Sequence, residues 1–269
     1  MATVSTTEIL ARFDAQMRRD LSPPSPTWRV ERTGRVVRWV SPPELPWGCG
    51  VPWSDLDEDT ADGGIAEQVS YFAGLARRFE WKTYGHDRPA DLGARLRAAG
   101  LEAGAEEALV IGAVDDVAAL AAGAVPPPEI TLRCLDNGEP LDRIADLQSA
   151  VWGGDWAWLI AELRQEQQAD PTTLSIHVAE ADDKIVCAGW VRFHRDTQFA
   201  SLWGGSTLRE WRGRGIYSSL VARRAGQARQ RGLRYLQVDA SPESRPILER
   251  LGLHVVSTTT PYVWSPPPS

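Results

Sequence analysis

The run Phe199 to Thr207 reads as a strand, and a few residues later Arg212-Gly213-Arg214-Gly215-Ile216-Tyr217 opens a helical pattern. A chain with this segment must turn from strand to helix over a glycine-rich loop that carries two guanidinium groups. Glycine lets the backbone approach an anion closely, a new helix points unpaired N–H groups outward, and arginine keeps its charge at any physiological pH. The segment therefore reads as a cradle for a pyrophosphate.

The helix after the cradle is amphipathic. Tyr217, Leu220, Val221, Ala225 and Ala228 form one apolar stripe, Arg223, Gln227, Gln230 and Arg231 oppose it, and Gly232 ends it. Upstream, strands are expected at Ile130 to Leu135, Leu174 to Ala179 and Ile185 to Phe193, with helices at Leu141 to Val151 and Ala157 to Gln168. Downstream come a strand at Tyr235 to Val238, a short helix at Ile247 to Leu251 and a last strand at Tyr262 to Trp264 before a Pro-rich tail. The class is α/β, with an α+β mixed sheet.

At 269 residues two domains are expected. Ser22-Pro23-Pro24-Ser25-Pro26 sets off a short amphipathic leader, and Ala121 to Pro128 reads as the interdomain linker, giving domains 1–125 and 126–269. A net charge of -7 argues against a nucleic-acid partner. Cys49, Cys134 and Cys187 lie far apart without CxxC spacing, so they read as reduced thiols and not as a disulfide framework or zinc site. Neither a signal peptide nor a membrane span of ~20 apolar residues is legible, so a soluble, cytoplasmic protein is expected.

The stretch Leu208 to Tyr217, followed by Leu236-Gln237-Val238 and by Ile247-Leu248-Glu249-Arg250-Leu251-Gly252-Leu253, resembles the GNAT superfamily of acyl-CoA-dependent N-acetyltransferases. The resemblance covers roughly the C-terminal half. Arg212, Gly215 and Tyr217 stand at the three defined positions of the family's Arg/Gln-x-x-Gly-x-Gly/Ala signature, and Tyr217 departs from the small residue usual there. It implies acetyl-CoA as co-substrate, held by Ser206, Thr207, Leu208, Arg212, Gly213, Arg214, Gly215, Ile216 and Tyr217, and a small-molecule or peptide primary amine as acceptor. It also implies that Gly204-Gly205-Ser206-Thr207 lies on a strand splayed from its neighbour, with free backbone donors for an acyl oxyanion. A bulge at these glycines is an equal reading.

Two proton-handling groups common in the family are missing. Leu248 stands where many members carry a tyrosine acid, and Ser201 stands near the usual strand carboxylate. Asp239, Glu180 and His194 are weaker substitutes, and His177, between Ile176 and Val178, is expected to face solvent. No catalytic residue is assigned. Trp152, Trp156 and Trp158 read equally as core packing or as a cation–π wall for an amine. An active enzyme and a non-catalytic acyl-CoA-binding regulatory protein both remain open.

Competing motifs fit less well. A dinucleotide fingerprint lacks its third glycine and follows its strand too late, and Gly-Lys-Ser/Thr of a P-loop is absent. In the N-terminal half, a strand at Arg35 to Val40, a helix at Ile65 to Phe79, a strand at Phe79 to Lys82, Arg88-Pro89, a helix up to Gly100-Leu101 and a strand at Ala108 to Val114 repeat the later order. A degenerate second copy in tandem is inferred. In place of a cradle this half has Asp55, Asp57, Glu58, Asp59 and Asp62, which would repel pyrophosphate. A calcium loop fails at Thr60 and Ala66, leaving a solvated loop that leads into a helix.

Overall fold

The computed structural model describes residues 5–23, 27–45 and 48–267. Residues 24–26 of the expected Pro-rich break, and 1–4 and 268–269 of the termini, lie outside them. By contacts the chain forms two compact units, Met1–Leu109 with Val255–Ser269, and Val110–His254. This boundary precedes the 125/126 position expected from sequence. Val114–Ala121, of which sequence patterning gives Val114 to a strand and Ala121 to the linker and leaves the rest unassigned, is a helix whose Val114, Val117 and Ala121 are buried in the second unit.

The first unit begins with α1 (Thr6–Phe13), closed at its start by a reciprocal Ser5–Glu8 capping box, and a π-helical continuation, Asp14–Arg19. Strands β1 (Arg29–Thr33), β2 (Val36–Val40) and β3 (Cys49–Ser54) form an antiparallel meander. A loop then leads to α2 (Ala61–Gly74) and β4 (Phe79–Tyr84), which lies parallel to β3. The Asp55 to Thr60 loop is solvated as expected: Asp57 accepts from the Thr60 backbone and hydroxyl and from Arg35. The helix does not reach Phe79. It ends at Gly74 because Phe79 is needed in β4, where it is 1% exposed and stacks on Phe72 at 4.4 Å. After α3 (Leu92–Ala98) and the two-residue β5 (Glu102–Ala103), this unit takes its last strand from the chain's end: Thr259 to Trp264 pair antiparallel with Tyr84 to Phe79.

The second unit starts within β6 (Glu107–Ala113), followed by α4 (Val114–Ala121) and β7 (Thr131–Cys134). Then come α5 (Asp142–Trp152), α6 (Ala157–Ala169), β8 (Leu174–Ala181), β9 (Lys184–Phe193) and β10 (Phe199–Thr207), close to the expected bounds. A 3-10 turn, Arg209–Trp211, and the glycine loop precede α7 (Ile216–Gln230), β11 (Tyr235–Ala240) and α8 (Arg245–Arg250); β12 (His254–Trp264) follows and from Val255 on belongs to the first unit. Strands β7 to β10 are antiparallel neighbours, whereas β11 runs parallel to β10. The sheet is thus mixed. Its core holds Ile144, Leu163, Ile176, Val178, Ala188 and Leu220, each at most 1% exposed.

Each unit contains the same local device. In both, a pair of parallel strands precedes a short helix that ends in a left-handed glycine, Gly100 (φ +86°) or Gly252 (φ +87°). In both, the next residue donates five residues back, Leu101 to Leu96 and Leu253 to Leu248, each at 3.1 Å. Parallel pairing also stops early in both. It covers only Cys49–Phe79 to Val51–Trp81 in the first unit and Phe199–Tyr235 to Ser201–Gln237 in the second, although all four strands continue.

Candidate active site

The early end of the β10–β11 ladder makes the cleft. Beyond Ser201 the β10 backbone leaves β11, and on the other side its register with β9 breaks between Trp203 and Ser206. Gly204 and Gly205 therefore have no register partner on either side, and the splayed strand and the bulge are the same feature. Glycine is required at both for separate reasons. Gly204 has φ +64° and an added Cβ would stand 1.8 Å from the Trp190 ring, while a Cβ on Gly205 would meet Tyr217 at 2.5 Å.

Below the bulge lies a residue that patterning missed. Arg224 on α7 is 1% exposed, and its Nη1 reaches the carbonyls of Trp190 and Trp203, both at 3.4 Å. Gly189 leaves it room, since a Cβ there would lie 2.8 Å from Nη1. The guanidinium carbon is 5.9 Å from the Tyr217 ring. Burial lowers the arginine's pKa and raises that of Tyr217. One signal was legible: Arg224 directly precedes Ala225 of the apolar stripe, inside the buried arc of the helix.

The glycine loop stands at the head of the cleft. Gly213 (φ +74°) and Gly215 (φ +76°) are left-handed, and Gly215 is the N-cap of α7 without a capping side chain. A Cβ on Gly213 would meet nothing within 4 Å, so the loop opens outward. Such a helix start, with N–H groups at N1 to N3 beyond the reach of intrahelical acceptors, fits a pyrophosphate. Arg212, exposed, donates Nε to the Thr207 carbonyl at 3.0 Å. Arg214, also exposed, lies 4.8 Å from the Trp211 ring and 3.6 Å from Glu129. Both heads remain at the surface beside the loop.

The other residues expected to contact the donor are placed differently from one another. The Ser206 hydroxyl is buried, accepting from Trp152 Nε1 at 2.8 Å and donating to Gln148 Oε1 at 2.9 Å. Thr207 Oγ1 meets Cys187 Sγ at 3.0 Å. Leu208 gives its N–H to Val186 and its side chain to the core, and the Ile216 side chain is likewise buried. For those two, only backbone groups not already paired face a ligand. Cys187, its thiol pushed up to about 11 by burial, is a core group and not a nucleophile.

The opposite face of the sheet carries α5 and α6. Trp152 and Trp203 are 57% and 40% exposed. Trp158 is also exposed, whereas Trp156 packs on the core and donates to the Gly153 carbonyl, so the tryptophan cluster splits between its two readings. Ser201 Oγ receives the Trp203 indole N–H at 2.6 Å and meets His194 Nε2 at 2.7 Å. Burial, then the neighbouring Arg192, holds His194 at a pKa of about 4, so it is neutral at pH 7. Arg192 in turn bonds Glu162 and Glu166, at 2.9 and 2.7 Å, and lies 4.9 Å from the Trp203 ring. Glu162 is held above the usual carboxylate range by burial against the pull of Arg192, with Glu166 adding to the rise.

The expectations for His177, Gln227 and Glu180 are corrected. His177 is 2% exposed, not solvent-facing, and bonds Gln227 at 3.0 Å; Gln227 accordingly leaves the polar side of α7. Burial depresses His177 to about 4. Glu180 does not reach the cleft, being tied to Arg133 and Arg143. Leu248, at the position of the missing tyrosine, is completely buried.

In the first unit the corresponding opening is filled. Arg18, 2% exposed, donates Nε to the Pro52 carbonyl where β3 has left β4, and both Nη2 bonds go to Asp87 at 2.8 and 2.7 Å. Asp14 bonds both Arg18 and His86, and His86 Nδ1 meets Ser257 Oγ at 2.9 Å. Burial raises Asp87 and outweighs Arg18, whereas hydrogen bonds and charge keep Asp14 low against its own desolvation.

A parallel strand pair that opens at a bulge, with a glycine loop and helix N-terminus at its head, defines the GNAT type of acyltransferase fold. Residues 141–253 match the model of the Acetyltransferase (GNAT) family, and that stretch of the chain is a GNAT acetyltransferase domain. Solved structures similar over nearly the whole length include a GCN5-related N-acetyltransferase from Kribbella flavida (TM-score 0.65, 16% identity, 90% of this chain and 91% of that one). Another is a functionally unknown conserved protein from Staphylococcus epidermidis (0.66, 12%, 92% and 97%), and a third is a tandem GNAT protein from the clavulanic acid biosynthesis pathway (0.63, 12%, 93% and 86%). At these identities they establish the fold. No curated protein matches this chain. Among the described residues no helix is long and apolar enough to cross a membrane, and no group of three or more His, Cys, Asp or Glu is placed to hold a metal ion.

Proposed function

We propose that the second unit transfers the acetyl group of acetyl-CoA to the primary amine of a small molecule or peptide, and that the first unit is a degenerate copy without a donor site. The observation that carries this reading is the coincidence, in one cleft, of the left-handed Gly213–Gly215 loop at the α7 N-terminus with the unpaired β10 backbone at Gly204–Gly205. Acetyl-CoA brings an activated thioester carbonyl. Arg212, Arg214 and the α7 N–H groups suit its pyrophosphate, and the freed β10 backbone supplies donors for the developing oxyanion. Alignment of the reactants can contribute on the order of 7–11 kcal/mol, enough to make a dedicated acid dispensable.

The first unit is read as non-catalytic because Arg18 fills its strand opening and Asp57 occupies the loop where a cradle would stand. The net charge and the face bearing Glu162 and Glu166 favour a cationic acceptor over nucleic acid. Thiol release from acetyl-CoA, followed with a panel of polyamines, aminoglycosides, amino acids and peptides, tests the reading. Amine-dependent thiol release supports it. Tight acetyl-CoA binding with no thiol from any amine favours the second reading, an acyl-CoA-binding regulatory protein, for which the closed core at Leu248 is the specific observation.

A further inference from the structure

We propose that the first unit carries a reactive centre of its own, Ser257–His86–Asp14, which cleaves small carboxylic esters. Arg18 closes that unit's strand opening to an acyl-CoA donor, so the unit takes no part in acetyl transfer and this chemistry is separate from it.

His86 joins two elements that are far apart in the chain. Its Nδ1 lies 2.9 Å from Ser257 Oγ on β12, and its Nε2 lies 2.9 and 3.1 Å from the two carboxylate oxygens of Asp14. Separations of 171 and 72 residues hide this arrangement from any local motif. All three residues belong to the first unit. The carboxylate selects the tautomer: a lone pair on Nε2 would oppose both carboxylate oxygens, so Nε2 carries the proton and donates to Asp14. Nδ1 is then the acceptor, and the Ser257 hydroxyl donates to it. This is the relation of nucleophile, base and orienting carboxylate in a serine hydrolase, with the two ring nitrogens exchanged.

The surroundings favour transfer of a proton to the ring. Burial pushes the Asp14 carboxyl up, but the bonds from His86 and Arg18 outweigh it and hold Asp14 below the usual carboxylate range. Arg18 is matched by its two bonds to Asp87, which leaves the charge of Asp14 to balance an imidazolium. Among the described residues the other Ser–His pair is His194 with Ser201, and it differs on both counts: Ser201 is fully buried and no carboxylate bonds the His194 ring. Here the His86 and Asp14 side chains are 29% and 26% exposed, and Ser257 is half-buried.

A substrate has room beside this cluster. His86 and Thr258, with Pro89 and Tyr262, line a cavity of about 470 Å³, a volume usual for a small-molecule site. Gly85 keeps the approach open. A Cβ there would stand 2.8 Å from Thr258 Oγ1 and 3.6 Å from Ser257 Oγ, so a side chain would cover both hydroxyls. The Thr258 hydroxyl bonds no described residue and is the donor available to an oxyanion formed at Ser257.

In the reaction Ser257 Oγ attacks the ester carbonyl carbon while its proton passes to His86 Nδ1. The adduct collapses by breaking the bond to the alkoxy oxygen, which takes that proton and leaves as the alcohol, and an acyl ester of Ser257 remains. Water then gives a proton to Nδ1 and attacks the acyl carbon. Return of the proton to Ser257 Oγ releases the carboxylic acid.

The test labels the full chain with diisopropyl fluorophosphate, which forms a P–O bond to an activated serine with loss of fluoride, and reads the product by intact mass and peptide mapping. One adduct, on Ser257, is expected. His86→Gln should slow labelling by about a hundredfold or more, and Ser257→Ala should lower p-nitrophenol release from p-nitrophenyl acetate by a similar factor. Asp14 is a positioning residue, so Asp14→Asn should slow labelling and Asp14→Glu should restore part of the rate. No adduct, an adduct at a different serine, or an unchanged rate in folded His86→Gln would overturn the proposal. The wild-type adduct needs no variant to fold, and it decides alone where His86→Gln does not.

Discussion

The ring of Tyr217 stands where a side chain on Gly205 would have to go, with Cε2 2.5 Å from the position of an added Cβ. The two residues form a matched pair across the strand–helix contact. The family signature has a small residue at position 217, and this chain has the large residue there and the empty one opposite. Gly205→Ala is therefore expected to destabilise by roughly 1–3 kcal/mol, the cost of overpacking. Tyr217→Ala should restore much of that loss in the double variant, a coupling readable by urea unfolding of the four-member cycle.

Gly215→Asp places a β-carbon in a left-handed turn and a negative charge at the α7 N-terminus. Acetyl-CoA affinity should fall by at least tenfold, measured by calorimetry, and Arg212→Glu should act in the same direction. Gly226→Ala, within α7 and with open space at its Cβ, is the control expected to keep full affinity. Affinity surviving both changes would mean that the pyrophosphate lies elsewhere.

Leu248→Tyr would give the chain the tyrosine acid that the family resemblance implies at that position. Leu248 is completely buried, so the larger side chain and its hydroxyl should cost about 1–3 kcal/mol of stability without raising thiol release. Faster release with unchanged stability would show that the cleft reaches α8.

In the first unit, Arg18→Leu leaves Asp87, 6% exposed, without its bidentate partner and should cost roughly 3–5 kcal/mol. Arg18→Leu with Asp87→Leu should recover part of the loss. A double variant less stable than the single one would show that Asp87 is held by its other bond, from the Tyr84 N–H, and not by Arg18.

His177 and His194 both titrate at about 4, against ~6.5 in an unfolded chain, with burial the leading cause for each. Their folded pKa values are depressed, so the unfolded chain binds more protons between those limits. Stability is full above about pH 6.5 and is lost as the pH falls toward 4. Thermal melts across that window should show the decline, and His177→Gln should flatten it by about one proton. An unchanged slope in His177→Gln would place the titration elsewhere.

Much of the second unit was legible because its signals are local. Gly213 and Gly215 mark a turn that only positive φ allows, Gly232 marks the end of α7, and short apolar runs mark β8 to β10. What failed were positions whose state is set by a partner distant in sequence. By pattern Phe79 fits both the end of a helix and the start of a strand, and Phe72 and the β4 ladder decide for the strand. Pattern alone leaves His177 and Gln227 solvated, whereas His177 Nε2 bonds Gln227 Oε1 across 50 residues. For Arg224 the only local mark is its place beside Ala225 of the apolar stripe, which does not by itself separate burial from exposure.

The sequence by itself determined that a strand must turn through Arg212 to Gly215 into an amphipathic helix, since left-handed glycines and a 3.6-residue apolar period are properties of the chain over a few residues. Only the tertiary structure decided where β10 leaves β11, that Arg224 props the bulge from below, and that Ser201 and Ser206 hold two indoles at the surface. Each of these depends on strands or helices brought together from distant parts of the chain, and hydrogen-bond partners chosen at that distance leave no periodicity in the sequence.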